Sequence, residues 1–321
     1  MFHHIKELQF DARVSAPDPQ FARILLEQFG GGNGELKAAM QYFVQAFTCR
    51  QGYAKQYDLL MDIATEEFSH LEIVGATIQM LLGPINGELK NAVETNPVAK
   101  LADGKKSSKE ELIHNALSNP QFLVLSGGGP TVTDSQGFPW SGNYVNANGD
   151  LTVDLRSDIA AESRAKIVYE YLMKFTDDPL VQESLRFLMT REIAHFQMFS
   201  AALENIQPNF PPGVRQGDPR FTHAYFNMSN GASVRGPWNE GNGPWKTGEW
   251  TYIEDPVATV RETQGLTELP ETAPYSNEEV ETVTKKIANQ RHKEVSQAVP
   301  KGKNRWSQYS DSQLESRKKA S

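Results

Sequence analysis

A chain with a single cysteine, Cys49, can form no internal disulfide. Nothing covalent staples this fold, and a reducing, cytoplasmic setting is expected. Long hydrophobic runs are also missing. No stretch of about 18 uncharged apolar residues occurs, so no membrane span is expected, and the opening MFHHIKELQF has no apolar run of signal-peptide length. Excess positive charge is absent too. Lys and Arg number 32 against 40 Asp and Glu, a net charge of −8. That argues against nucleic acid as a partner, because phosphate backbones call for clustered cations. What is present, 39% hydrophobic and 22% charged residues among 321, suits a globular chain with one large domain or two modest ones.

Helical patterning comes in two blocks. After a short helix from Pro19 to Gln28 and a glycine-rich turn at Gly30 to Gly34, ELKAAMQYFVQAFTCRQ is rich in helix formers. A second helix is expected from about Gln56 to Leu82, stopped by Gly83-Pro84. Residues 86–156 form a long crossover, turn-rich apart from a short helix near 108–118. Helical pattern returns at about Ser157 and halts before Pro179, and a fourth run covers Pro179 to Asn205. Helix pair, crossover, helix pair predicts an all-α four-helix bundle over residues 1–205, with an N-terminal arm. Residues 206–275, dense in Pro, Gly, Trp and Asn, read as an extended segment that wraps a neighbouring subunit. Residues 276–321 read as an amphipathic helix (Val280, Val283, Ile287) followed by a mobile, basic tail.

Two stretches inside the bundle hold polar residues where burial is expected. Glu67-Phe-Ser-His70 and Glu192-Ile-Ala-His195 each lie mid-helix among apolar neighbours. A Glu and a His three apart share one helix face. Two such motifs, with one Glu from each remaining helix, make a carboxylate-bridged dimetal site. Glu35 and Glu162 supply those two, and the spacing from Glu35 to Glu67 nearly repeats from Glu162 to Glu192. The helix pairs therefore read as approximate copies. A third match, Glu111-Leu-Ile-His114, lies in the polar crossover and reads as a surface turn. Glu66, beside Glu67, is expected to face solvent or a subunit neighbour, and His3 and His4 lack helical partners. The competing account is four solvated carboxylates and two core histidines. It would have to explain Glu162 on a face with Ala165, Tyr169 and Leu172. Four carboxylates and two imidazoles suit iron or manganese, whereas zinc prefers fewer oxygens.

Those motifs, together with GELKAAMQYF, EEFSHLEIV, FPWSGNYVNANGDLTVDL, AAESRAKIVYEYL and REIAHFQMF, resemble the manganese catalases, a non-haem, ferritin-like family, over roughly residues 1–270. Ordinary ferritins lack the Trp140–Leu155 crossover. The resemblance implies disproportionation of hydrogen peroxide to oxygen and water by two manganese ions cycling between Mn(II) and Mn(III) pairs. It implies Glu35, Glu67, His70, Glu162 and His195 as ligands, Glu192 as the acid/base, and Tyr42 as a tyrosine hydrogen-bonded behind the ligands. It also implies a homohexamer. Some relatives carry an arginine just before the third-helix glutamate, where this chain has Ala161, so a more open channel is expected. A calcium site, known in part of the family, would draw on Asp58, Asp62, Asn227, Ser229 and Gly231. Two other readings stand beside this one: a di-iron oxidase or peroxidase on the same bundle, and a non-catalytic, spore-coat type structural protein using the basic tail.

Overall fold

Four helices begin at an Asp-Pro pair. Asp18, Asp178, Asp218 and Asp255 each cap a helix whose first residue is proline. The aspartate satisfies an N–H that the first turn leaves without a partner, and proline has no N–H to lose there. The computed structural model describes residues 4–50, 52–82, 129–206, 218–228, 236 and 251–264. The chain divides into two units, residues 1–208 and 209–321. No helix among the described residues is long and apolar enough to cross a membrane.

In the first unit, α1 spans Pro19–Gly30, α2 Glu35–Cys49, α3 Ala54–Leu81, α4 Leu151–Leu172 and α5 Pro179–Glu204. Helix α2 pairs mainly with α3, and α4 with α5, while α1 lies against α3. The four long helices are the expected ones. Helix α4 starts six residues before the expected Ser157, because Asp150 accepts from the N–H groups of Thr152 and Val153. The Asn- and Gly-rich lead-in reads locally as loop, and tertiary burial of Leu151 and Leu155 decides otherwise. The short 108–118 helix, the Glu111-Leu-Ile-His114 motif, the Val280–Ile287 helix and the tail lie outside the described residues.

The described end of the crossover is ordered by Asp134. Its Oδ1 accepts from the N–H groups of Gln136 and Phe138 at 2.9 Å each, and Trp140 N donates to Val132 O. This turn sits on the end of α1. A β-carbon on the buried Gly30 would lie 2.5 Å from Thr133 N and 2.6 Å from its carbonyl oxygen, both backbone atoms. Gly30→Ala must push the two segments apart. It is expected to cost about 1–3 kcal/mol and to lower Tm by several degrees in a calorimetric scan. An unchanged Tm would contradict that packing.

Burial organises the bundle around a polar middle. One apolar cluster contains Phe21, Leu25, Ile73, Ile78, Tyr169, Leu185 and Leu188. The other contains Tyr42, Ala46, Leu60, Ile63, Leu155 and Phe199. The buried residues outside both clusters include Glu67, His70, Glu192 and His195.

In the second unit, α6 (Pro219–Thr222) leads into β1 (Ala224–Phe226), which pairs in parallel with β2 (Thr251–Ile253) before α7 (Pro256–Thr263). Tyr225 and Tyr252 stack across the pair at 5.7 Å. The sequence expectation for this segment is irregular throughout. Three-residue strands are too short to show a period of two.

Candidate metal centre

The helix registers bring six predicted side chains together. Glu35 is the first residue of α2, held there by a tight entry: a β-carbon on Gly34 would meet the Glu27 and Gln28 backbone at 2.7 Å. Glu67 and His70 share a face of α3. Glu192 and His195 share a face of α5, and Glu162 lies mid-way along α4. All six are at most 1% exposed. His70 Nδ1 lies 3.0 Å from Glu67, 3.5 Å from Glu192 and 3.6 Å from Glu35. His195 Nδ1 lies 2.8 Å from Glu67 and 3.9 Å from Glu162. The two imidazoles face each other at 5.5 Å, and one ligand atom each from Glu67, His70, Glu192 and His195 falls within 4.8 Å of the others.

Two tyrosines stand behind the carboxylates in a crossed pair. Tyr42, seven residues after Glu35, donates to Glu162 Oε1 at 2.5 Å. Tyr169, seven residues after Glu162, donates to Glu35 Oε1. Helices α2 and α4 thus each steady the carboxylate of the other. Tyr42 is among the predicted residues and Tyr169 is not, although the repeated Glu-x6-Tyr spacing announces it.

Glu66 corrects the expectation most sharply. It is only partly exposed, with 19% of its side chain open to solvent. Its carboxylate turns to the outer edge of both imidazoles, 3.0 Å from His195 Nε2 and 3.6 Å from His70 Nε2. Arg191 Nε at 2.7 Å and Gln9 at 2.7 Å hold it in place. An imidazole that donates its Nε2 hydrogen to Glu66 leaves the Nδ1 lone pair free for a cation.

Asp58 and Asp62 are exposed on α3. Asn227 belongs to the second unit and donates to Glu254 at 3.3 Å, and Ser229 and Gly231 lie outside the described residues. His4 is exposed and pairs with Glu72 at 2.9 Å, and His3 lies outside the described residues. Ala161 is buried, and Arg164 donates to Asn33 at 2.9 Å. Among the described residues the Glu67, His70, Glu192, His195 group alone is close enough to share a cation.

So many acids in one apolar shell disturb each other. Burial, then the charges of Glu192 and Glu67, pushes Glu35 and Glu162 well above the usual carboxylate range, and burial with Glu67 raises Glu192. Burial works against the charged form of Glu67 as well, but the two histidines outweigh it and hold its pKa low. Burial opposes imidazolium, yet the surrounding carboxylates raise His70 well above its ordinary value and lift His195 to about 9. Lys37, two residues beyond Glu35, is lowered by burial to about 8 and still carries its charge at neutral pH.

The donor set fits a pair of divalent cations. Glu35 Oε2, Glu162 Oε2, the oxygens of Glu192 and His70 Nε2 are buried and make no close hydrogen bond, and Glu67 Oε1 and His195 Nδ1 have only each other, at 2.8 Å. Orphaned acceptors of this kind are costly unless a cation satisfies them. Without metal, the raised groups set the pH response. A group whose folded-state pKa is raised stabilises below its unfolded value and loses that contribution as pH climbs to the folded one. The histidines and the raised glutamates all act in this sense. Glu66 and Glu67, with lowered values, contribute fully throughout neutral and alkaline pH, and Lys37, lowered to about 8, acts in the opposite sense only above that pH, one group against several. Metal-free protein is therefore expected to have a lower Tm near pH 9 than near pH 6, with a smaller difference after metal loading. A metal-free Tm that rises over that interval would contradict the assignment.

A four-helix bundle whose two halves each aim a Glu, a Glu-x-x-His and a crossed tyrosine at one buried pocket belongs to the dimetal carboxylate class. The family model for manganese containing catalases matches residues 1–294, and the chain belongs to that family. A crystal structure of KatB, a manganese catalase from Anabaena PCC7120, is similar at 36% identity with a TM-score of 0.62, covering 80% of this chain and all of that one. A probable manganese catalase from Clostridium acetobutylicum is 38% identical over 241 residues, 74% of this chain and 95% of its own length. The uncharacterized protein YjqC of Bacillus subtilis is 34% identical over 270 residues, 80% of this chain and 91% of its own.

Proposed function

We propose that this protein is a dimanganese catalase that converts two molecules of hydrogen peroxide to one of oxygen and two of water. Glu35, Glu67, His70, Glu162 and His195 would hold the ions. Bound there, a manganese pair supplies two-electron exchange with peroxide, alternating between Mn(II) and Mn(III).

The chain's own residues supply position and protons. Tyr42 and Tyr169 each occupy one oxygen of Glu162 and Glu35, so the second oxygen of each faces the pocket. Glu67 presents one oxygen to each histidine, Oε2 to His70 and Oε1 to His195, and would help hold both ions. The two apolar clusters exclude bulk water and strengthen every charge interaction between them. Glu192 carries the proton traffic. It is fully buried, Oε1 lies 3.5 Å from His70 Nδ1, and burial raises its pKa, so at Oε1 or Oε2 it can take a proton from peroxide and return it to the departing oxygen. A fully buried carboxylate with a raised pKa inside the ligand ring is the observation that best supports catalysis over metal storage.

The test is metal analysis of natively purified protein together with oxygen release from peroxide. Two manganese per chain with vigorous oxygen evolution is the expected result. Two iron with peroxide consumed and no oxygen released would favour the di-iron reading. Metal bound without turnover would favour a structural role.

A further inference from the structure

Proton transfer at Glu192 leaves one buried cation unused. Lys37 on α2 is 2% exposed and its Nζ has no hydrogen-bond partner. Asp158 on α4 is in the converse position. It is fully buried, Oδ1 accepts from Gln41 Nε2 at 2.7 Å, and Oδ2 makes no close hydrogen bond, with Gln45 and Lys37 its polar neighbours. Each of these orphaned groups is costly by itself.

The two belong to facing stripes. Lys37, Gln41 and Gln45 recur every four residues on α2. Glu162, Asp158 and Asp154 do so on α4, and all six are buried. Such spacing puts each set on one helix face. At the outer end, Asn146 N donates to Gln41 Oε1 at 3.1 Å and Gln45 Nε2 donates to Asn146 O at 2.7 Å. Asp154 accepts from the N–H groups of Asn148 and Gly149, and Asn148 is exposed. At the inner end stands Glu162, in the metal pocket. A file of polar side chains therefore runs from the 146–149 turn to the pocket through an interface that bundles normally fill with apolar residues.

A donor without an acceptor and an acceptor without a close donor, on the same file, call for a small molecule that does both. Hydrogen peroxide, like water, has that chemistry. We propose that Lys37 and Asp158 form a transit subsite for hydrogen peroxide between the 146–149 turn and the dimetal pocket, Lys37 Nζ donating to the peroxide and Asp158 Oδ2 accepting from it. The proposal rests on the catalase reading for its substrate.

Manganese-loaded Lys37→Met removes the ammonium and keeps most of the stem's volume. Its kcat/KM for peroxide is expected to fall about tenfold, the worth of one charge-assisted hydrogen bond, with kcat within about twofold of wild type and metal content unchanged. Asp158→Asn is expected to lower kcat/KM several-fold in the same manner. Wild-type kcat/KM in both variants, or a loss confined to kcat, overturns the subsite. Should Lys37→Met fail to fold, Lys37→Gln keeps a polar stem without the charge, and the same fall in kcat/KM is required of it. A crystal structure of the manganese-loaded chain gives a readout free of turnover. One solvent molecule within about 3.2 Å of both Nζ and Oδ2 is the expected result, and a direct Lys37–Asp158 ion pair or a dry gap overturns it. That result holds whether or not the protein releases oxygen, so failure of the subsite is distinguishable from failure of the catalase reading.

Discussion

Glu192→Gln is expected to keep its metal and lose most of its activity. Glutamine matches glutamate in shape, and Glu192 is fully buried, so the packing around it should survive. What disappears is the ability to exchange a proton. A positioned general acid or base typically contributes about 100- to 10,000-fold, and a fall of that size in oxygen release is predicted at unchanged pH and peroxide concentration. Metal content should fall far less than activity, since Glu35, Glu67, His70, Glu162 and His195 are untouched and the amide oxygen of glutamine still offers a neutral donor beside them. Glu162→Gln is the contrasting case. It removes a charge from a carboxylate whose Oε2 faces the pocket and whose other oxygen is engaged by Tyr42, so metal should be lost together with activity. Oxygen electrode rates read beside elemental analysis separate the two patterns. A Glu192→Gln protein with more than half of wild-type activity would remove Glu192 from the proton path.

Much of this site can be read from the sequence because its parts repeat with helical spacing. Glu67 with His70 and Glu192 with His195 are three apart, so each pair is aimed together by the helix alone. Glu35 and Glu162 follow from the need for one carboxylate per remaining helix, and the near-equal spacing of the two halves marks the symmetry. Tyr42 and Tyr169 carry the same message, each seven residues after its glutamate, but their partners are exchanged across the bundle, and only the fold shows which tyrosine serves which acid.

Glu66 illustrates what local pattern cannot hold. One residue from Glu67, it is turned by about 100° around the helix, and a helix taken alone sends it away from the pocket. Its destination is decided by Arg191 and His195 on α5 and by Gln9 in the N-terminal arm, contacts separated from it by 125, 129 and 57 residues. The early start of α4 has the same origin. Asn and Gly before Asp150 are local loop signals, while burial of Leu151 and Leu155 is a property of the whole bundle. The file from Lys37 to Asp154 was equally invisible as a unit, because each four-residue stripe gains meaning only when α2 and α4 lie side by side.

Glu66→Ala is expected to weaken metal binding by about 10- to 100-fold, the usual loss when a group orienting metal-ligating histidines is removed. The carboxylate is the hydrogen-bond partner of His195 Nε2 and the nearest acceptor to His70 Nε2. Without it His195 loses the hydrogen bond that turns its Nδ1 toward Glu67, His70 Nε2 loses a carboxylate 3.6 Å away, and Arg191 loses its ion pair. Burial opposes ionisation of Glu66, but hydrogen bonds from His195, His70, Arg191 and Gln9 more than offset it and keep the carboxyl ionised far below its ordinary range. The charge is therefore present at every pH at which the protein would hold metal. Glu66→Gln separates charge from shape. Its amide oxygen can still accept from one imidazole, so an intermediate affinity is predicted, above alanine and below wild type. Competition against a chelator of known affinity, followed by elemental analysis, gives the three values. Equal affinity in wild type and Glu66→Ala would mean that the histidines are aimed by helix packing alone, through Phe187 beside His70 and the apolar clusters on either side.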